Sequence, residues 1–146
     1  MTTIRATLPF RFAAALVLIL LGSGRSRGSE ADVAKIVGTW RGSSTCVDLK
    51  AAPACKDEVA VYEIAPVPNT VDRVTAKGYK VVDKERQFMG DLSFTLGSDG
   101  VWVCDFQSPS MKSRWTLTVD GTKMTGTATL MPANTLIRRL VLEKGK

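Results

Sequence analysis

The sequence predicts an all-β fold, an eight-stranded antiparallel up-and-down barrel preceded by a cleaved export signal. Three observations predict it: apolar residues recur with period two from Ile36 onward, turn-forming residues fall about every ten positions, and no long helical stretch is present to cover a sheet. A twisted sheet with one apolar face can bury that face by closing on itself, which also removes its exposed edges.

The first 31 residues have the three-part layout of a signal peptide: Arg5 and Arg11, an apolar run over 12–21, then small and polar residues over 22–29. About ten apolar residues are too few to cross a hydrocarbon core that needs roughly 20 in helical form. Small residues stand correctly for cleavage after Gly24, with Gly22 two before it, or after Ala31, with Ser29 two before it. The second is preferred, giving a signal over 1–31 and one domain over 32–146. No Cys lies near either site to accept a lipid, so the mature protein is expected in the periplasm or outside the cell, off the membrane and monomeric.

Only residues 30–35, at the start of the mature chain, could form a short helix. The strands are expected over 36–46, 57–65, 71–81, 86–96, 101–107, 112–119, 123–131 and 135–144. Gly97-Ser98-Asp99-Gly100 and Asp120-Gly121-Thr122 tolerate positive φ, while Ser108-Pro109 and Pro132-Ala133-Asn134 stop ladders that Pro cannot continue. Alternation sorts the faces. In the fourth strand Phe88, Gly90, Leu92, Phe94 and Leu96 share the apolar side; in the sixth Trp115, Leu117 and Val119 do; in the seventh Met124, Gly126, Ala128 and Leu130 do. In the last strand Arg138 and Arg139 must point to opposite faces. Leu136, Leu140 and Leu142 accompany Arg138, so Arg138 is the inward one.

Charge and composition exclude more than they assign. The formal charge of +6 falls to +3 once Arg5, Arg11, Arg25, Arg27 and Glu30 leave with the signal, and the remaining basic residues are interrupted by acidic ones, so no nucleic-acid stripe is expected. The chain has no His. That removes Ser-His and Cys-His nucleophiles, His-ligated zinc and iron, and proximal-His haem. No close pair of carboxylates stands in for them, and no cofactor, metal or enzymatic activity is expected. Cys46 and Cys55 bracket a loop over 47–56 that is longer than a hairpin needs; in an oxidising compartment they are expected to be bridged, leaving Cys104 as a buried thiol.

The segment Gly38-Thr39-Trp40, opening the first strand of an eight-strand meander, resembles the Gly-x-Trp signature of lipocalins and their calycin relatives. The resemblance implies a ligand-holding barrel, and it implies that Arg138 stacks across Trp40 to close one end. The chain departs from that family in being short, in lacking a Thr-Asp-Tyr motif between later strands and in lacking a helix after the barrel. Gly38-Thr39-Trp40-Arg41-Gly42 is also similar to the opening of nitrobindin-type haem barrels, whose His is missing here. Size, signal, Trp40 and one disulfide are similar as well to small exported inhibitors of metalloproteases.

These readings give two functional expectations. The first is an exported, non-enzymatic protein holding a small apolar ligand among Trp40, Phe88, Phe94, Trp102, Trp115 and Arg138 inside the barrel, with Phe106 in the same register. The alternative is an interaction protein or protease inhibitor acting on a protein partner through its termini and the 47–56 loop.

Overall fold

The computed structural model describes residues 27–146, so most of the expected signal segment lies outside the described residues. One helix, α1 (Arg27–Ile36), precedes eight strands: β1 (Gly38–Cys46), β2 (Glu58–Pro66), β3 (Arg73–Val82), β4 (Glu85–Leu96), β5 (Trp102–Gln107), β6 (Lys112–Asp120), β7 (Lys123–Leu130) and β8 (Thr135–Lys144). All neighbours pair antiparallel, and β1 pairs with β8 to close the barrel. The strands fall where period two places them because each one buries alternate side chains. α1 begins earlier than the expected 30–35 and runs through the preferred cleavage point after Ala31. Its core-facing residues, the partly buried Val33 and the buried Ile36, lie beyond either candidate site.

α1 plugs one end of the barrel. Ile36 is fully buried and Val33 packs against the same core, a three-residue spacing that puts both on one helical face. Gly38, at φ 128°, then turns the chain into β1 through a conformation that side chains disfavour. Two residues on, the Trp40 indole N–H donates to the Ile36 carbonyl at 2.7 Å, satisfying one of the carbonyls left open at the helix end. The plugged half is solid: Trp40, Phe94 and Trp102 pack with Val74, Leu117, Met124 and Leu142, all at most 2 % exposed.

The cation beside Trp40 is Lys144, not Arg138. Register is the reason: β1 and β8 run antiparallel with Trp40 opposite Lys144 and Cys46 opposite Arg138. Arg138 is therefore six positions, about 20 Å, along the strand from the indole. The Lys144 ammonium lies 5.3 Å from the Trp40 ring centroid and donates to the Lys35 carbonyl at 2.8 Å. A cation at a helix C-terminus is favoured by the helix dipole as well as by the ring.

Phe88 is also displaced from its expected place. The β3–β4 ladder pairs Gly78 with Gly90 but Tyr79 with Phe88, so Met89 is an extra residue in a β-bulge and side-chain parity reverses beyond it. Gly90 takes φ 138° at this step. Phe88 consequently lies on the outer wall, 59 % exposed, edge-on to Tyr79 at 5.6 Å. Arg86 joins them, 4.8 Å from the Tyr79 ring and paired with Glu63, whose carboxyl its hydrogen bond holds below the usual range.

Cys46 and Cys55 form a disulfide and Cys104 is a free, buried thiol whose pKa burial pushes up. Closing this short loop contributes about 3 kcal/mol through the unfolded state.

A double-mutant cycle on Trp40→Leu and Lys144→Met is expected to give a coupling of about 0.5–1 kcal/mol in urea unfolding. The same cycle on Trp40→Leu and Arg138→Met should be additive within about 0.5 kcal/mol, since the groups share no contact. Reversal of these results would put the indole's cation at the wrong strand end.

Candidate functional site

The half of the barrel away from α1 holds a partly open cavity of about 550 Å³. Two features of the strands make room for it. Small residues on the adjacent strands β2, β3 and β4 come first: Ala60, Gly78 and Gly90 all line the space, and a Cβ built on Gly90 would meet nothing within 4 Å. The second is a parting of the wall. Only two residue pairs join β4 to β5, Thr95 with Val103 and Leu96 with Trp102, whereas the other seams have six or more. Past Thr95 the strands separate, so Met89, Asp91 and Leu92 form one lip of the cavity and Phe106, Ser110 and Met111 the other. Asp91 sits between the inward Gly90 and Leu92, and it borders the cavity because the seam beside it is open.

The 47–56 loop roofs the mouth. Asp48 Oδ1 accepts from the Lys50 and Ala51 amides, both at 2.9 Å, and the Cys55 amide donates to the Ala52 carbonyl, which folds the loop back on itself. Its segment from Ala51 through Cys55 lines the cavity, presenting methyl groups and a proline ring in place of polar side chains.

Arg138 turns inward beneath this roof, its side chain 13 % exposed. One guanidinium nitrogen donates to the Ser44 carbonyl and hydroxyl and to Glu58 Oε1 at 3.1 Å; the other donates to Cys55 Sγ and to the Lys56 carbonyl, each at 3.1 Å. It thereby fastens the loop to β1 and β2, and Glu58 balances its charge inside the mouth. Tyr62, 7 % exposed, lies near this pair and lines the cavity. Burial pushes its phenol up to about 12, a shift that Arg138 opposes and Glu58 reinforces, so the hydroxyl stays protonated at neutral pH.

Of the residues expected inside the barrel, Trp115 and Arg138 line the cavity; Trp40, Phe94 and Trp102 belong to the solid half, and Phe88 is outside. Trp115 is held by its indole N–H, which donates to the Ser113 hydroxyl at 3.1 Å. Glu58, Tyr62, Gly78 and Met89 were not singled out from sequence. A signal did exist for two of them: Glu58, Ala60, Tyr62 and Ile64 share one face of β2, so a carboxylate and a phenol sit in an apolar row. Val59 and Val61 make the opposite face apolar too, which hides the pattern. Among the described residues no cluster of His, Cys, Asp and Glu could hold a metal ion.

No family model matches the chain, and no curated protein matches it in sequence. Among solved structures, a redesigned β-barrel aligns with TM-score 0.58 at 17% identity, covering 79% of this chain and 96% of its own. An S-type phycobiliprotein lyase from Guillardia theta aligns with TM-score 0.48 at 11% identity, covering 80% and 92%. The first likeness shows the barrel fold alone; neither assigns a ligand or an activity to this chain.

Arg138→Met should destabilise the protein by roughly 1–3 kcal/mol, because it leaves Glu58 without its cation and frees several acceptors. Hydrogen exchange should speed up selectively at the Ala52 and Cys55 amides; unchanged protection there would show that the disulfide alone holds the roof. A second expectation follows from Tyr62. Its folded pKa lies above its ordinary value of 10, so the associated stability is intact below pH 10 and is lost as pH rises toward 12. Relative to Tyr62→Phe, wild type should lose roughly 2 kcal/mol between about pH 9 and pH 11.5, read as the difference between urea midpoints.

Proposed function

We propose that this protein is a binding protein that holds one small, mainly apolar molecule in the half of the barrel opposite α1. The observation that carries the reading is the cavity of about 550 Å³, walled by Trp115, Phe106, Leu92, Ile137 and the alanines of the loop. Its size falls within the range of small-molecule sites, and its lining is apolar with a few convergent polar groups, as such sites require. The solid packing around Trp40 supports a division of labour in which one half of the barrel provides stability and the other holds the ligand. The Cys46–Cys55 bridge favours an oxidising compartment and so supports export to the periplasm or the exterior.

The loop reading, as a surface for a protein partner, has one observation behind it: Val47 and Leu49 are 45 % and 60 % exposed. Ala51, Ala52 and Cys55 are half-buried against the cavity, which favours a roof over a docking surface, although Lys50, Pro53, Ala54 and Lys56 are exposed.

A panel of neutral aromatic dyes, fatty acids and sterols, followed by quenching of tryptophan fluorescence, should include compounds that bind with a stoichiometry of one. Ala60→Phe, which places a ring in the cavity from a wall position, should remove that binding while thermal unfolding still shows a folded protein. If no compound binds wild type, or if Ala60→Phe binds as wild type does, the cavity is not a ligand site.

A further inference from the structure

Resting on the ligand-binding reading, we infer that the Tyr62 hydroxyl is the hydrogen-bond anchor of the cavity, and that the ligand is a neutral, planar molecule carrying one acceptor oxygen. Three independent features converge on this. The first is an unpartnered polar atom. Tyr62 is more than nine-tenths buried, and its hydroxyl has no hydrogen-bond partner among the described residues. No fully enclosed side-chain nitrogen or oxygen there lacks a partner, so the Tyr62 hydroxyl must keep its accessible surface, and that surface faces the cavity the residue lines. The other polar groups nearby are committed: Arg138 serves Ser44, Glu58, Cys55 and Lys56, and the Trp115 N–H serves Ser113.

The second feature is charge. Arg138 and Glu58 neutralise each other at 3.1 Å, and Asp91 borders the space with no cation opposite it among the lining residues. Inside the cavity Glu58 cancels the charge of Arg138, and Asp91 is exposed at the lip where solvent screens it, so the interior offers no net charge to repay the desolvation of an ionic ligand of either sign. A neutral acceptor is matched to the buried phenol O–H that no protein group takes up.

The third feature is shape. Gly78 and Gly90 face each other across β3 and β4, so the wall beside the Tyr62 ring is bare backbone. A Cβ on Gly78 would stand 3.2 Å from Tyr62 Cε1, so the phenol ring already lies close over that glycine, while the space over Gly90 is open. A flat molecule can lie on this floor and present its other face to Trp115 and Phe106 on the opposite lip.

The test uses two neutral fluorophores on the full exported protein: an acyl-dimethylaminonaphthalene, whose ketone is an acceptor and whose emission moves to the red when hydrogen-bonded, and diphenylhexatriene, which has no acceptor. Wild type should bind both, and Tyr62→Phe should bind the ketone about tenfold more weakly with emission shifted to the blue, leaving the hydrocarbon unchanged. An anionic anilinonaphthalene sulfonate should bind wild type more weakly than the ketone. Equal affinity of both proteins for the ketone would overturn the anchor and leave the cavity reading standing. Equal losses of ketone and hydrocarbon in Tyr62→Phe would assign the residue to packing and overturn it too. Failure of wild type to bind either neutral probe would overturn the cavity reading itself.

Discussion

The seam between the first and last strands is the constraint on which the rest of the molecule depends. A β-barrel closes only if β8 returns to β1 in one register, and a one-residue slip would turn every side chain of β8 to the wrong face. Here the register is held by close approach: a Cβ at Gly42 would collide with the Val141 carbonyl oxygen and with Leu142 Cα, so the two backbones meet tightly at this point. The register then delivers a cation to each end. Lys144 reaches the indole and the helix carbonyls at the plugged end, and Arg138 reaches Ser44, Glu58 and the loop at the other. One strand therefore sets both how the barrel is stoppered and how it is roofed.

The two halves of the interior differ because the strands are regular in one and interrupted in the other. Around Trp40 the ladders are continuous and large buried side chains pack into one core cluster. In the cavity half, bulges interrupt β3–β4 beside Gly78 and β7–β8 beside Ala128, and β4 departs from β5 after Thr95. Each interruption re-aims a side chain: Met89 at the first bulge and Ile137 at the second become cavity residues. The space is a consequence of these irregularities together with the glycines between them, and it would close if the ladders ran on unbroken.

Much of the architecture was legible in the sequence, and the parts that were not share a physical cause. Eight strands, their turns and the single bridge follow from period two, turn chemistry and loop bracketing, which are local properties. Phe88 shows the limit. Its alternation with Gly90 is intact in the sequence, but a bulge adds one residue to one strand, and nothing in a two-residue period announces it. The partner of Trp40 shows another. Period two puts Arg138 on the inner face, yet which residue of β8 lies opposite Trp40 is a property of closure, set by pairings more than 90 residues apart. Tyr62 escaped notice for a third reason: β2 is apolar on both faces, with Val61 2 % exposed on the outer one, so alternation could not say which face was core.

The cavity is walled more weakly at the β4–β5 seam than at its roof. Lifting the roof would break the Arg138 bonds to Cys55 and Lys56 and the Val47 amide's bond to Ile137, and it would still be tethered by the disulfide. Widening the gap between β4 and β5 breaks far less, because two residue pairs already join those strands at one end and none continues the ladder at the other. Local opening follows the elements with fewest hydrogen bonds and packed contacts, which places the least costly opening of the wall at this seam. Met89 and Met111 at its lips, 58 % and 36 % exposed, are unbranched and reshape at little cost, unlike the alanines and proline of the roof. Met89 and Met111 border the apolar space at this seam while the disulfide and Arg138 tie down the roof, so the wall is held least where β4 and β5 part.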